Sequence, residues 1–129
     1  MTDAELGKLS ILALAHVGDA VYELLVRTLL AERGVATALQ LHLETVARVK
    51  APAQAKAAAV ILPHLTEAEH DVYRRGRNSH VNTVPHGSTP GQYHAATAVE
   101  AVFGWLWLRG EHERARELFG YITEDYDAA

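Results

Sequence analysis

The sequence predicts a single all-α domain, and three observations lead to that class. Serine and threonine residues stand where helix N-caps are expected, each followed by residues with helical spacing. No segment alternates polar and apolar residues over a useful length, so no strand is predicted. The 129 residues are 49% hydrophobic and 22% charged, close to the average of globular proteins. We therefore expect one folded domain over residues 1–129.

Six helices follow in order from residues that begin and end helices. The predicted helices span 11–31, 38–49, 52–62, 67–75, 93–108 and 111–124. Their N-terminal signals are Ser10, Thr37 with Gln40, Pro52, and Thr66 with Glu69. Gly34, Pro63 and Gly110 stand at helix ends, where glycine and proline are common.

Residues 76–91 interrupt the helical pattern and predict a long loop. The segment contains three glycines and two prolines and has no hydrophobic period. A loop of this length inside a compact domain is usually functional or disordered.

Composition excludes several classes of protein. The chain has no cysteine, which excludes a disulfide scaffold, a thiolate nucleophile and a metal site built on sulfur. No apolar run approaches the roughly 20 residues of a membrane span, and the N-terminus lacks the basic start of a signal peptide. We expect a cytoplasmic protein with no membrane partner. The net charge of −4 argues against nucleic-acid binding through bulk charge.

The first predicted helix carries one polar stripe on an otherwise apolar surface. The stripe consists of His16, Asp19, Glu23 and Arg27. A solvated stripe with a Glu23–Arg27 ion pair is the ordinary explanation. Gly18 favours a special role, because glycine inside a helix costs about 1 kcal/mol and is best explained by a close approach of another group.

The helix over 93–108 is apolar on all sides, which is typical of a central buried helix. From residue 95 onward its only polar side chains are those of Thr97 and Glu100. A buried carboxylate needs a partner: an arginine, a hydrogen bond in its protonated form, or a cation. If Glu100 faced Asp19, the two carboxylates would suit Mg²⁺, which prefers oxygen ligands.

A third feature is a basic segment in an acidic protein. Between residues 72 and 99 there are three arginines and three histidines and no acid: Arg74, Arg75, Arg77, His80, His86 and His94. Neighbouring side chains that can hydrogen-bond phosphates are Asn78, Ser79, Asn82, Thr83, Ser88 and Thr89. The pattern is typical of contact with a nucleic-acid backbone, and a solvated basic loop is the alternative.

Two strings resemble the ribonuclease III family. Residues 12–23, LALAHVGDAVYE, resemble its signature helix, and residues 97–108, TAVEAVFGWLWL, resemble its second acidic helix. Within the family the chain is most similar to Mini-ribonuclease III, the bacterial form that consists of the catalytic domain alone. The stretch RGRNS at 75–79, the long loop after it, and the residues VKA at 49–51 with QA at 54–55 are similar to that subgroup too.

The resemblance implies a ribonuclease III-type helical endonuclease domain with a metal site. Asp19 matches the signature aspartate and Glu100 the metal-binding glutamate, so both are implied to be catalytic and to bind Mg²⁺, with Mn²⁺ as a substitute. Thr97 stands where full-length ribonuclease III has an aspartate, and Leu12 and Ala15 replace upstream acids. Glu23 and Thr97 are candidates for an outer role around the metal.

The resemblance also implies partners and products. It implies a homodimer, a double-stranded RNA substrate, namely the precursor of 23S ribosomal RNA, and products with 5′-phosphate and 3′-hydroxyl ends. The candidate RNA-binding residues are Arg74, Arg75, Arg77, Asn78 and Ser79.

Two alternatives remain open on the sequence. One is a ribonuclease III-like domain that binds RNA or the ribosome without cleavage, favoured by the missing acids. The other is a helical dimerisation module unrelated to RNA, in which Glu100 belongs to a core ion pair.

Overall fold

A computed structural model describes residues 1–79, 84 and 86–128, and within them it has seven α-helices and no strand. The helices are α1 (Asp3–Leu6), α2 (Ile11–Glu32), α3 (Ala38–Val49), α4 (Ala51–Ile61), α5 (Glu67–Arg77), α6 (Pro90–Leu108) and α7 (His112–Ala128). A 3₁₀ turn, Leu62–His64, ends α4 where Pro63 predicted a stop. The all-α class is confirmed. Within the described residues, no helix combines the length and apolar character that crossing a bilayer requires.

The predicted bounds of α2, α3 and α4 are confirmed to within a residue, and side-chain caps explain the starts of α2 and α3. The hydroxyl groups of Ser10 and Thr37 accept from backbone N–H groups of the first turn, as predicted. Thr66 and Glu69 form the predicted capping box of α5. Helix α1 was not predicted, although Thr2 and Glu5 form a capping box of the same kind.

Three predicted bounds were wrong. Helix α5 continues to Arg77, so Gly76 is helical and does not begin the loop. Helix α6 begins at Pro90, three residues before the predicted start, because Thr89 and Gln92 form a capping box there. Helix α7 extends to Ala128, beyond the predicted end at residue 124. Its last turn is held by Arg33, which donates two hydrogen bonds to Asp127, at 2.9 and 2.7 Å.

Helix α6 is the centre of the fold, as its apolar composition predicts. It packs against α2, α4, α5 and α7. Six of its apolar side chains have no solvent exposure: Ala98, Val99, Ala101, Val102, Phe103 and Leu106. Burial on every side fixes the helix relative to its neighbours.

Helices α2 and α6 cross with their backbones in contact. A Cβ atom added to Gly18 would overlap the carbonyl oxygen of Glu100, and one added to Gly104 would overlap that of Leu14. The predicted close approach at Gly18 is therefore confirmed, and the approaching group is the backbone of α6. This crossing brings the residue after Gly18, Asp19, beside Glu100.

Helix α5 packs on another side of α6 through a third glycine. A Cβ atom added to Gly76 would lie 2.9 Å from the Cα atom of Ala98 and 3.1 Å from the Cβ atom of Ala101. The close contact explains why Gly76 remains inside the helix. It also holds the basic end of α5 next to the helix that carries Glu100.

A buried ion pair joins α5 to α7. Glu69, 3% exposed, accepts two hydrogen bonds of 2.9 Å from Arg114, which also donates to the carbonyl oxygen of His64 at 2.7 Å. Burial acts to raise the pKa of Glu69, but hydrogen bonds from Arg114 and Thr66 outweigh it and keep the pKa below its usual value. The core carboxylate with an arginine partner is thus Glu69, whereas Glu100 has a different environment.

Candidate active site

Asp19 and Glu100 meet at the crossing of α2 and α6. The two side chains are close enough for the charge of Asp19 to act on the carboxyl group of Glu100. Asp19 is exposed and Glu100 is partly buried, so the pair lies at the surface end of the crossing. Of the three partners predicted for Glu100, the structure has a hydrogen bond, which Nε2 of Gln54 donates at 3.5 Å. Within residues 1–79, 84 and 86–128, neither carboxylate forms an ion pair with a basic side chain.

The environment of Glu100 disfavours its charge. Burial raises the pKa of Glu100 to about 8, and the negative charge of the neighbouring Asp19 acts in the same direction. Only the hydrogen bond from Gln54 opposes the increase. A partly buried carboxylate beside a second acid is typical of functional sites.

The donor set at this crossing fits a hard divalent cation. The carboxyl groups of Asp19 and Glu100 offer only oxygen atoms as ligands. Mg²⁺ and Mn²⁺ take this ligand type in sites where waters complete the coordination. A cation would relieve the repulsion between the two carboxylates. Among the described residues no cluster of three or more acidic, histidine or cysteine side chains could hold a metal, so the protein would contribute two carboxylates.

Gln54 is the third side chain at the site, and sequence reasoning assigned it no role. It lies on α4 and is 2% exposed. Its Nε2 atom donates to the carbonyl oxygen of Val49 at 2.8 Å and to Oε2 of Glu100 at 3.5 Å. The available signals were a lone amide in an alanine-rich helix and the resemblance of Gln54 and Ala55 to Mini-ribonuclease III, and neither connects Gln54 to Glu100.

The two candidates for an outer role are already engaged. Glu23 forms the predicted ion pair with Arg27, at 3.2 Å. Thr97 is buried, and its hydroxyl donates to the carbonyl oxygen of Tyr93, one turn earlier in α6, at 3.0 Å. The structure therefore brings together Asp19 and Glu100, whereas Glu23 pairs with Arg27 and the Thr97 hydroxyl bonds within α6.

The candidate RNA-binding residues lie at the C-terminal end of α5, and their settings differ. Arg75, Arg77 and Asn78 are exposed. Arg74 is exposed too, but it forms an ion pair with Asp71 at 2.7 Å. Ser79 is buried and its hydroxyl donates to the carbonyl oxygen of Gly76 at 2.7 Å. Arg75 and Arg77 are therefore the members most available to phosphates.

Some of the predicted basic loop lies outside the described residues. This applies to His80, Asn82 and Thr83. Of the other histidines, His86 is exposed, whereas His94 is partly buried and its Nδ1 atom has no hydrogen-bond partner.

We expect the Glu100→Gln variant to be more stable than the wild type at pH 8 in EDTA. In the unfolded chain Glu100 releases its proton near pH 4.5, whereas in the folded protein it keeps it to about 8. Between these values the folded state holds more protons, so the free energy of unfolding falls as pH rises. Removing the ionisation should raise that free energy by up to about 4 kcal/mol at pH 8 and leave it nearly unchanged at pH 4.

Urea denaturation at several pH values measures this difference. Glu113→Gln is the control, because the Glu113 side chain is 96% exposed and its removal should have no pH-dependent effect. A difference between wild type and Glu100→Gln that is the same at pH 4 and pH 8 would contradict the prediction.

The fold and the acidic crossing define a ribonuclease III-type domain. The family model of the Ribonuclease III domain matches residues 12–111, a span that includes both Asp19 and Glu100. A crystal structure of a Fusobacterium nucleatum protein is similar to the chain with a TM-score of 0.85 and 27% sequence identity, over 95% of this chain and 98% of that one. The predicted fold class is therefore confirmed.

Curated relatives define the group more narrowly. Two proteins named Mini-ribonuclease 3 are similar to the chain. The one from Gloeobacter violaceus is 49% identical over 84% of this chain and 78% of the relative. The one from Symbiobacterium thermophilum is 44% identical over 83% of this chain and 82% of the relative. Another from Clostridium tetani is 36% identical over 98% of this chain and 84% of the relative. The chain belongs to the ribonuclease III family and, within it, to the Mini-ribonuclease 3 group. This membership, which the two sequence strings predicted, places it among the endoribonucleases.

Proposed function

We propose that the protein is a Mg²⁺-dependent endoribonuclease that cleaves double-stranded RNA, and that its substrate is the precursor of 23S ribosomal RNA in the bacterial cytoplasm. The observation that carries the proposal is the contact between Asp19 and Glu100 at the crossing of α2 and α6. Family membership gives the ribonuclease class, and the resemblance to Mini-ribonuclease III suggests the substrate.

In this proposal Asp19 and Glu100 hold the cation. When bound, Mg²⁺ would supply an activated water and stabilise the charge that develops on the phosphate and the leaving 3′ oxygen, giving 5′-phosphate and 3′-hydroxyl ends. Mn²⁺ has the same preference for oxygen ligands and would substitute. The protein's own contribution is to hold two carboxylates together on a rigid pair of helices.

The end of α5 would hold the RNA backbone. A-form RNA is recognised mainly by its shape and through phosphate and 2′-hydroxyl groups, for which exposed arginine and asparagine side chains are suitable. Arg75, Arg77 and Asn78 are exposed next to the contact of Gly76 with α6. Arg74 would contribute if its pair with Asp71 opened, whereas Ser79 would support the turn from inside.

We propose further that the protein acts as a homodimer. A net charge of −4 is unfavourable for RNA binding by one copy, and two copies would present two basic helix ends to one RNA. Three exposed apolar side chains on α3 are available for association: Leu39, Leu43 and Val46. Sedimentation equilibrium should give twice the mass of one chain, and a monomer at micromolar concentration would contradict this part of the proposal.

The test of the function is an assay on long double-stranded RNA, with Mg²⁺ and with EDTA, at several salt concentrations. We expect discrete fragments with Mg²⁺ only, and binding that weakens steeply as salt increases. A precursor of 23S ribosomal RNA is tested beside it and should be cut at fewer positions. A protein that leaves both RNAs intact with Mg²⁺ and with Mn²⁺ would overturn the proposal.

The second candidate function is RNA binding without cleavage. Thr97, which stands in place of an acid, and the limit of two carboxylates among the described residues favour it. The same assay separates the two, since this candidate predicts salt-dependent binding with no fragments.

A further inference from the structure

Gln54 is a buried amide whose contacts serve no evident packing purpose. It sits on α4 among alanines and bridges two acceptors, the carbonyl oxygen of Val49 at the junction of α3 and α4 and the carboxylate of Glu100 on α6. An alanine-rich helix could bury an apolar side chain here at lower cost, because a polar group in the interior must recover its lost hydration.

The hydrogen bonds fix which way the amide points. Both neighbours are acceptors, so the NH₂ end must face them, and the oxygen end is left over. That oxygen, Oε1, is buried and has no hydrogen-bond partner. A buried unpaired oxygen is unfavourable, so the orientation of the amide is maintained by what Nε2 binds.

The contact with Glu100 is long for a hydrogen bond, at 3.5 Å, whereas the contact with Val49 is 2.8 Å. The longer contact is to the carboxyl group that also lies beside Asp19. Val49 therefore anchors the amide, and the remaining N–H is directed at Glu100.

We propose that Gln54 is a positioning residue, which orients the carboxylate of Glu100 from the buried side so that its other face is presented beside Asp19. The proposal rests on the proposed function, because the orientation has a purpose only if Glu100 binds a cation. Groups that hydrogen-bond to metal-binding side chains commonly change metal affinity by roughly 10- to 100-fold when removed.

The test compares the affinity of the Gln54→Met variant and of the wild type for Mn²⁺. Titration calorimetry measures this affinity on the protein without RNA. Methionine keeps the unbranched shape and removes the donor. We expect about 10-fold weaker Mn²⁺ binding. We also expect a higher Mg²⁺ concentration for half-maximal cleavage, with nearly the wild-type rate at saturating Mg²⁺. Thermal stability should change little, since the loss of the bond to Val49 opposes the gain from removing the unpaired oxygen.

The matched control is Thr45→Val. Thr45 is also 2% exposed, its hydroxyl oxygen is also buried without a partner, and it lies on the neighbouring helix α3. Its replacement removes a buried polar atom without touching Glu100, so metal affinity should stay at the wild-type value. If Gln54→Met does not fold, Gln54→Ala is measured in its place, with the same expected loss of affinity.

The outcomes separate this proposal from the proposed function. Wild-type affinity in the Gln54 variant, while Asp19→Asn loses binding, would overturn the role of Gln54 and leave the metal site standing. No Mn²⁺ binding by the wild type would overturn both. A loss of affinity as large in Thr45→Val as in Gln54→Met would show a general packing effect and would also overturn the proposal.

Discussion

The Asp19→Asn variant should lose cleavage of double-stranded RNA by at least about 10³-fold while keeping its fold, since electrostatic groups at a reacting centre are commonly worth this much. Asparagine has the shape of aspartate and lacks its charge. With two carboxylates at the site, the change removes half of the negative charge that would hold the cation. It also removes the repulsion on Glu100, so the variant should be at least as stable as the wild type.

The measurement is single-turnover cleavage at saturating protein, with circular dichroism to verify the fold. Glu113→Gln is the control, because the Glu113 side chain is 96% exposed on α7 and lies outside the carboxylate pair. We expect its rate to stay within a few-fold of wild type. Equal rates for Asp19→Asn and the wild type would show that the site has been assigned wrongly.

The Gly18→Ala variant should be destabilised by more than about 4 kcal/mol, a loss that marks a severe steric conflict in the core. The added methyl group would overlap the carbonyl oxygen of Glu100 and lie 2.8 Å from the backbone nitrogen of Gly104. Neither atom can move aside, because both belong to the backbone of a helix that is buried on all sides.

Urea denaturation at neutral pH measures the effect. The control is Gly120→Ala on α7, where an added Cβ atom meets nothing within 4 Å. Alanine is the better helix former, so this variant should gain up to about 1 kcal/mol. A Gly18→Ala protein as stable as the wild type would mean that α2 and α6 are not in backbone contact.

The contact between the helices that carry Asp19 and Glu100 could be predicted from the sequence, because Gly18, next to Asp19, and Glu100 itself are each unusual in their helix. Gly18 costs stability inside a helix, and Glu100 is an acid in an apolar one, so both demand an explanation that another element must supply. Family resemblance then connected the two helices. Local patterns also predicted most helix starts, since capping residues act within a single turn.

The remaining features depend on contacts between distant parts of the chain. Gly76 reads as a helix terminator in sequence, but its role is to let α5 approach Ala98. The partner of Glu69 is Arg114, which is 45 residues away. Gln54 has no periodic or spacing signal, because its significance arises from where α4 packs on α6. Helical spacing carries no information about such pairings.

The backbone contact at Gly18 and Gly104 makes the crossing of α2 and α6 rigid. Two main chains already touching cannot close further, and the surrounding core keeps them from separating. The two packed helices therefore hold the backbones of Asp19 and Glu100 at a fixed separation. Under the proposed function, the RNA would have to bring its phosphate to this fixed place. The stiffness of a duplex would then affect how easily it reaches the two carboxylates.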